Sequence, residues 1–151
     1  MNQRILQHRP PRIAMFFLLL AMALHWLTPL GSQRVFPSSI LAVTIGLSGF
    51  LVMMWAWWQF KQQEVAICPT ETTVRLITDG IYRYTRNPMY LGVTMMLLAV
   101  ALEVGTIPFF VAATGFFLVI QLVFCPYEEA KLQRTFGAEY RRYVGRVRRW
   151  L

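Results

Sequence analysis

Apolar and polar positions along this chain come in long blocks. Ile13–Leu30 is apolar except for His25 and Thr28, and Ile40–Phe60 carries no charge at all. Two further apolar runs, Met89–Leu102 and Thr106–Phe124, are separated by Glu103-Val104-Gly105. A hydrocarbon core of about 30 Å takes about 20 helical residues, so runs of this kind read as membrane helices. The third is the shortest, about 21 Å at about 1.5 Å per residue. The pattern predicts an all-α, integral membrane helical bundle. It has four transmembrane helices, over residues 13–30, 40–60, 88–103 and 106–125, the last two forming a C-terminal helical hairpin. Pro10 and Pro11 stop the first helix from starting earlier. Ala21-Met22-Ala23 resembles a signal cleavage site, but apolar character continues past it, so the segment reads as an anchor. Asn87-Pro88 reads as a helix start, with Asn as N-cap and Pro at the first helical position. Gly46 and Gly49 supply small residues for close helix contact.

Two polar blocks interrupt this pattern. One is Gly80-Ile81-Tyr82-Arg83-Tyr84-Thr85-Arg86-Asn87-Pro88-Met89-Tyr90-Leu91-Gly92; the other runs from Glu128-Glu129 to Arg149. In the second, Leu132, Phe136, Tyr140 and Tyr143 share a helical face, and Gly137 divides it into two short helices. A basic amphipathic tail ending in Trp150 suits a membrane surface. The net charge is +8 and 56% of residues are hydrophobic. A basic balance fits nucleic acid or an anionic membrane, and the long apolar runs decide for the membrane. Of the 15 Lys and Arg, only Arg34 falls in a connection opposite the others. The positive-inside rule then makes both termini and both polar blocks cytoplasmic, in a multi-pass protein of a bacterial-type inner membrane. The whole chain, 1–151, reads as one domain.

The chemistry on offer is restricted. Cys68 and Cys125 lack CxxC spacing, His8 and His25 are far apart, and no metal-ligand cluster is visible. There is no GxGxxG or P-loop, and no Ser/His/Asp or Cys/His arrangement. What remains is Tyr, Arg, Asn and paired Glu beside apolar helices. Such groups suit a ligand with an aromatic ring, hydroxyls, an ammonium and a carboxylate, and tyrosine faces also hold cations. Each has a plainer reading. Arg83 and Arg86 serve as positive-inside charges, and Tyr82 and Tyr90 as interface aromatics. Trp55, Trp57, Trp58 and Phe60 read as an aromatic belt. Glu128 and Glu129 complement a helix N-terminus. Neighbouring helical residues point about 100° apart, so Glu128 is assigned to the ligand and Glu129 to a nearby arginine.

The spacing Gly80-x-Tyr82-x-x-x-Arg86-Asn87-Pro88-x-Tyr90-x-Gly92 is followed by Glu128-Glu129-x-x-Leu132-x-x-x-Phe136-Gly137-x-x-Tyr140-x-x-Tyr143-x-x-x-Val147. Together they resemble the isoprenylcysteine carboxyl methyltransferase family, which is related to phospholipid methyltransferases. The resemblance implies an S-adenosylmethionine-dependent membrane methyltransferase whose lipid-linked or hydrophobic acceptor enters from the bilayer. Neither nucleic acid nor metal is implied. By position, the cofactor-binding segments are 74–92 and 126–150. Val74, Arg75, Leu76, Ile77, Tyr82, Asn87, Pro88, Met89, Tyr90, Glu128 and Glu129 are the cofactor-binding residues. The family usually has His where this chain has Asn87. It has an arginine that grips the substrate carboxylate where this chain has Phe124; Arg134 or Arg75 is then the candidate catalytic anion holder. A phospholipid-type amine or a thiol is the alternative acceptor. A non-catalytic protein that binds lipid headgroups is the remaining alternative.

Overall fold

The computed structural model describes residues 10–27, 38–62 and 75–151. Regular structure among them is helical apart from a single isolated bridge residue at Thr106. The elements are α1 (Pro10–Leu27), α2 (Ser39–Gln62), a 3-10 turn (Gly80–Arg83), α3 (Pro88–Val104) and α4 (Ile107–Val119). A π-helical turn (Ile120–Phe124), α5 (Cys125–Phe136) and α6 (Ala138–Val144) follow. The all-α expectation is met. The count of spans is not. Among the described residues, three helical segments are long and apolar enough to cross a membrane: α1, α2, and the unbroken run Ile107–Phe136. The helix expected to be the third span, α3, has 17 residues, about 25 Å. Pro88 fixes its start, and the turn before Ile107-Pro108 fixes its end.

Helix ends also differ from expectation, for identifiable reasons. α1 begins at Pro10. Proline is accommodated in a first turn because its missing N–H has no partner there. Cys125-Pro126 reads as a helix end, yet the chain stays helical through it. Pro126 removes one N–H and crowds the carbonyl four residues earlier, at Leu122. The π turn lies over that position and widens the ladder. The apolar stretch of this rod is Ile107–Phe124, and Glu128 and Glu129 lie beyond it.

α2 and α3 run antiparallel. Ser39 Oγ donates to Glu103 Oε1 at 3.1 Å at one end of the pair. Farther along, Gly49 and Gly92 bring the two backbones together, each lacking the Cβ that would strike the other helix. Small residues supply the close contact, as the sequence indicates for Gly49. On the other side, α4 packs against both α3 and α1, with Phe17 covering Gly115 and with Ala21, Phe109 and Ala112 in one cluster. His25 is a packing residue: its Nδ1 is 3.2 Å from Thr106 Oγ1 and its ring meets Phe109 edge-on. This alternation gathers the start of α1, the end of α2, the start of α3 and the start of α5 at one end of the bundle.

The tail does not present its apolar face to a membrane surface. Tyr140, Tyr143 and Val147 are buried and pack with Leu76, Leu132 and Phe136. Trp150 also turns inward: its indole donates to Gln121 Oε1 at 2.7 Å and its ring lies 5.1 Å from Phe117. The segment before α3 supplies an apolar partner that the tail's own sequence does not reveal.

Candidate functional site

The polar block before α3 is built into shape by contacts from two directions. Gly80 has φ +56°, where an L side chain is strained, and a Cβ there would collide with the Gln59 amide. That amide accepts from the Ile81 N–H at 3.1 Å and donates to the Asp79 carbonyl at 3.3 Å, tying the turn to the end of α2. Ile77, Ile81 and Tyr82 bury themselves against Ala56, and Phe60 stacks at a tilt on Tyr82.

From the other direction comes the end of the chain. The Arg86 N–H donates to the Arg148 carbonyl at 3.1 Å. Thr85 Oγ1 and Asn87 Nδ2 both donate to the Arg149 carbonyl, at 3.0 and 3.2 Å. Asn87 therefore does not cap α3 with its side chain, as expected from sequence; the amide is taken by the tail. Arg149 grips Glu129 with two bonds, 2.8 and 2.6 Å, and Arg86 approaches Glu129 at 3.1 Å. The bond to Glu129 is the chief reason the Arg149 guanidinium holds its proton more firmly than usual. Tyr143 OH donates to the Tyr82 carbonyl at 2.7 Å. Residues 148–149 thus form a strap across 85–87. Deleting Arg148–Leu151 should accelerate amide exchange at Arg86 and Asn87 by about tenfold or more, since several bonds of about 0.5–1.5 kcal/mol are lost together. Hydrogen-exchange mass spectrometry in detergent reads this out, and unchanged exchange there would show that the strap holds nothing.

Between these parts lies a cavity of about 530 Å³, within the range of about 300–1,000 Å³ usual for small-molecule sites. One wall is polar, with Tyr82, Arg86, Asn87, Tyr90, Glu128 and Glu129; the other is apolar, with Met53, Met54, Trp57, Phe60, Met89 and Val93. Tyr90 OH donates to Glu128 Oε1 at 2.6 Å. Burial pushes the Glu128 carboxyl up to about 7, and the Tyr90 bond and Lys131 oppose that rise without cancelling it. Burial, helped by Tyr143 and Glu128, also raises Tyr82 well above an ordinary phenol, so its hydroxyl stays protonated. Arg86 Nε is buried with no hydrogen-bond partner.

Of the residues singled out from sequence, Arg75, Leu76, Ile77, Tyr82, Asn87, Pro88, Met89, Tyr90, Glu128 and Glu129 line this cavity. Val74 lies outside the described residues, as do Cys68 and His8. Arg134, the other expected anion holder, is exposed and absent from this wall. Six residues beyond Glu128 on one helix, it points about 120° away. Phe124 is fully buried among Phe116, Ile120 and Cys125. Sequence reasoning missed Arg86 as a wall residue, although it stands inside the first motif, and missed the apolar wall from α2. Trp57 was legible there only as a belt aromatic. Among the described residues no group of three His, Cys, Asp or Glu forms a metal site.

The apolar helices fit a membrane protein, and a cavity of ligand size joins a polar and an apolar wall at one end of the bundle. The chain belongs to the phospholipid methyltransferase family, whose model matches residues 37–139 and so spans the cavity's α2, α3 and Glu128-Glu129 portions. Membership implies methyltransferase activity in general. An uncharacterized protein of Haemophilus influenzae (strain ATCC 51907 / DSM 11121 / KW20 / Rd) is 43% identical over 63 residues, which is 42% of this chain and all of that protein. No solved structure matches the chain.

Proposed function

We propose that this chain is an S-adenosylmethionine-dependent methyltransferase acting on a hydrophobic acceptor at the cytoplasmic face of a membrane. The observation that carries the reading is the cavity in which Tyr82, Asn87 and Tyr90 from one motif face Glu128 from the other, with Tyr90 and Glu128 already 2.6 Å apart. Its residues fit the cofactor's chemistry. Glu128 would accept from an ammonium or hydroxyl, and the Phe60 and Tyr82 rings would contact an aromatic base. When bound, the cofactor supplies an electrophilic methyl group on a sulfonium. Tyr82 and Tyr90 present faces that tolerate that positive charge. Met53, Met54, Trp57 and Val93 exclude water and receive the acceptor's hydrocarbon portion. The protein's task is alignment of acceptor and methyl group, which needs no covalent intermediate on the chain. The one-sided charge distribution favours the cytoplasmic side for this end of the bundle, where the start of α1 and the tail lie together.

An amine or thiol acceptor is favoured over the carboxylate that the first resemblance suggests. A carboxylate needs a free cation beside the reacting centre. Phe124 is sealed in the core, Arg134 is off the wall, and Arg86 already faces Glu129. Arg75, exposed at the cavity's edge, is the remaining anion holder. The test incubates purified protein with labelled cofactor and a total lipid extract. Label should pass into an organic-soluble product, and kcat/KM at saturating cofactor should climb steeply from pH 6 to 8, since a protonated amine or thiol must lose its proton. A flat profile would return the acceptor to the carboxylate class. Cofactor that does not bind at all would leave a lipid-binding protein without catalysis.

A further inference from the structure

A second, shallower cleft of about 520 Å³ opens beside the first, with Tyr143 common to both walls. Arg83, Arg142, Arg146, Thr78 and Glu139 line it, all of them exposed. Arg83 comes from the turn before α3, Arg142 from the last turn of α6, and Arg146 from the segment after it. Their convergence is therefore made by the fold. Among the described residues Glu139 is the only acid on this wall, and the ion pairs found there, Arg86–Glu129 and Arg149–Glu129, involve none of these groups. Arg149, by contrast, has its carboxylate. Complementing the C-terminus of α6 accounts for Arg142. It does not account for Arg83, which is distant in sequence, or for Arg146.

We infer that this cleft is a binding site for a phosphate group, held by the converging guanidiniums of Arg83, Arg142 and Arg146. Guanidinium forks match pairs of phosphate oxygens, and three of them share this wall with the single carboxylate of Glu139. The Thr78 hydroxyl adds a neutral donor to the same wall. Two sources carry this chemistry: the headgroup of an anionic lipid, or free phosphate. The site is separate from the cofactor reading and stands or falls without it.

Native mass spectrometry of the full chain in mixed micelles decides the matter. Wild type should retain one phosphatidylglycerol at least about tenfold more tightly than phosphatidylcholine. The variant R83Q/R142Q/R146Q should lose that preference. A control with equal charge loss, R134Q/R141Q/R148Q, takes its arginines from outside the cleft and should keep the preference within about twofold. Melting temperatures check that both remain folded, and R146Q alone, with an expected loss of about threefold, serves if the triple variant does not. Displacement of the bound lipid by millimolar inorganic phosphate would assign the site to free phosphate, and resistance would assign it to the lipid. Equal losses in both triple variants, or no lipid preference in wild type, would reduce the cleft to diffuse surface charge and overturn the inference.

Discussion

Glu128→Ala should weaken S-adenosylmethionine binding by about tenfold to a hundredfold, the value of a lost hydrogen bond to a charged group. Tyr90→Phe, which removes the donor 2.6 Å from that carboxylate, should cost less, about threefold to tenfold. The wild-type protein should also bind more tightly at pH 8 than at pH 6. Burial raises the Glu128 carboxyl to about 7, so at pH 6 most molecules must lose a proton before the carboxylate can accept from the cofactor. Linkage then gives about a tenfold difference in Kd across those two units, and Glu128→Gln should abolish the difference. The sign for folding is opposite. A carboxyl whose folded value lies above its ordinary 4.5 binds a proton more firmly folded than unfolded. The ligand-free protein therefore loses stability as pH rises from about 4.5 to about 7, and Glu128→Gln should flatten that slope too. Isothermal titration in detergent at three pH values measures binding. Variants that bind within twofold of wild type and keep its pH slope would remove Glu128 from the site. Wild type that binds nothing would instead remove the cofactor.

Gly92→Val should lower the melting temperature by about 5–10 °C. A Cβ at Gly92 would lie 2.5 Å from the Gly49 carbonyl oxygen and 2.8 Å from Met53 Cβ. Neither obstacle is the end of a flexible side chain, so the helices must separate. Overpacking of this kind costs about 1–3 kcal/mol, and each kcal/mol shifts a chain of this size by about 2–4 °C. The displacement reaches the site, because α3 carries Met89 and Tyr90 and α2 carries Met53 and Trp57 on the opposing wall. Cofactor affinity should fall along with stability. Gly145→Ala is the matched control: a Cβ there meets only ordinary contacts at 3.6 Å or more, and its melting temperature should stay within about 2 °C. A Gly92 variant as stable as this control would show that α2 and α3 do not depend on close approach.

Helical periodicity and long charge-free runs were enough to give the all-α membrane class, because burial in hydrocarbon leaves a bare backbone few options other than a helix. The same reading failed on lengths and ends where a local signal met a neighbour. Pro126 was legible as a stop, but a π turn absorbs it. Asn87 was legible as a cap, but the tail carbonyl claims its amide. Trp150 and the apolar face of the tail were legible as membrane contacts, but Gln121, Phe117 and Leu76 receive them instead. In each case the competing partner is remote in sequence.

The residue types of the two motifs, their order and their placement beside apolar helices belong to the sequence alone, and with them the positions facing the cavity from 75–90 and 128–129. The sequence also assigned Glu129 to an arginine, and Arg149 and Arg86 are the arginines it meets. Only the tertiary structure decided that α2 furnishes the apolar wall, that Arg86 keeps a buried donor unpartnered, and that Arg134 stands aside while Arg83, Arg142 and Arg146 converge. Periodicity states which face of a helix is apolar or charged. It does not state which other helix comes to meet that face, because that choice depends on contacts between segments far apart in the chain.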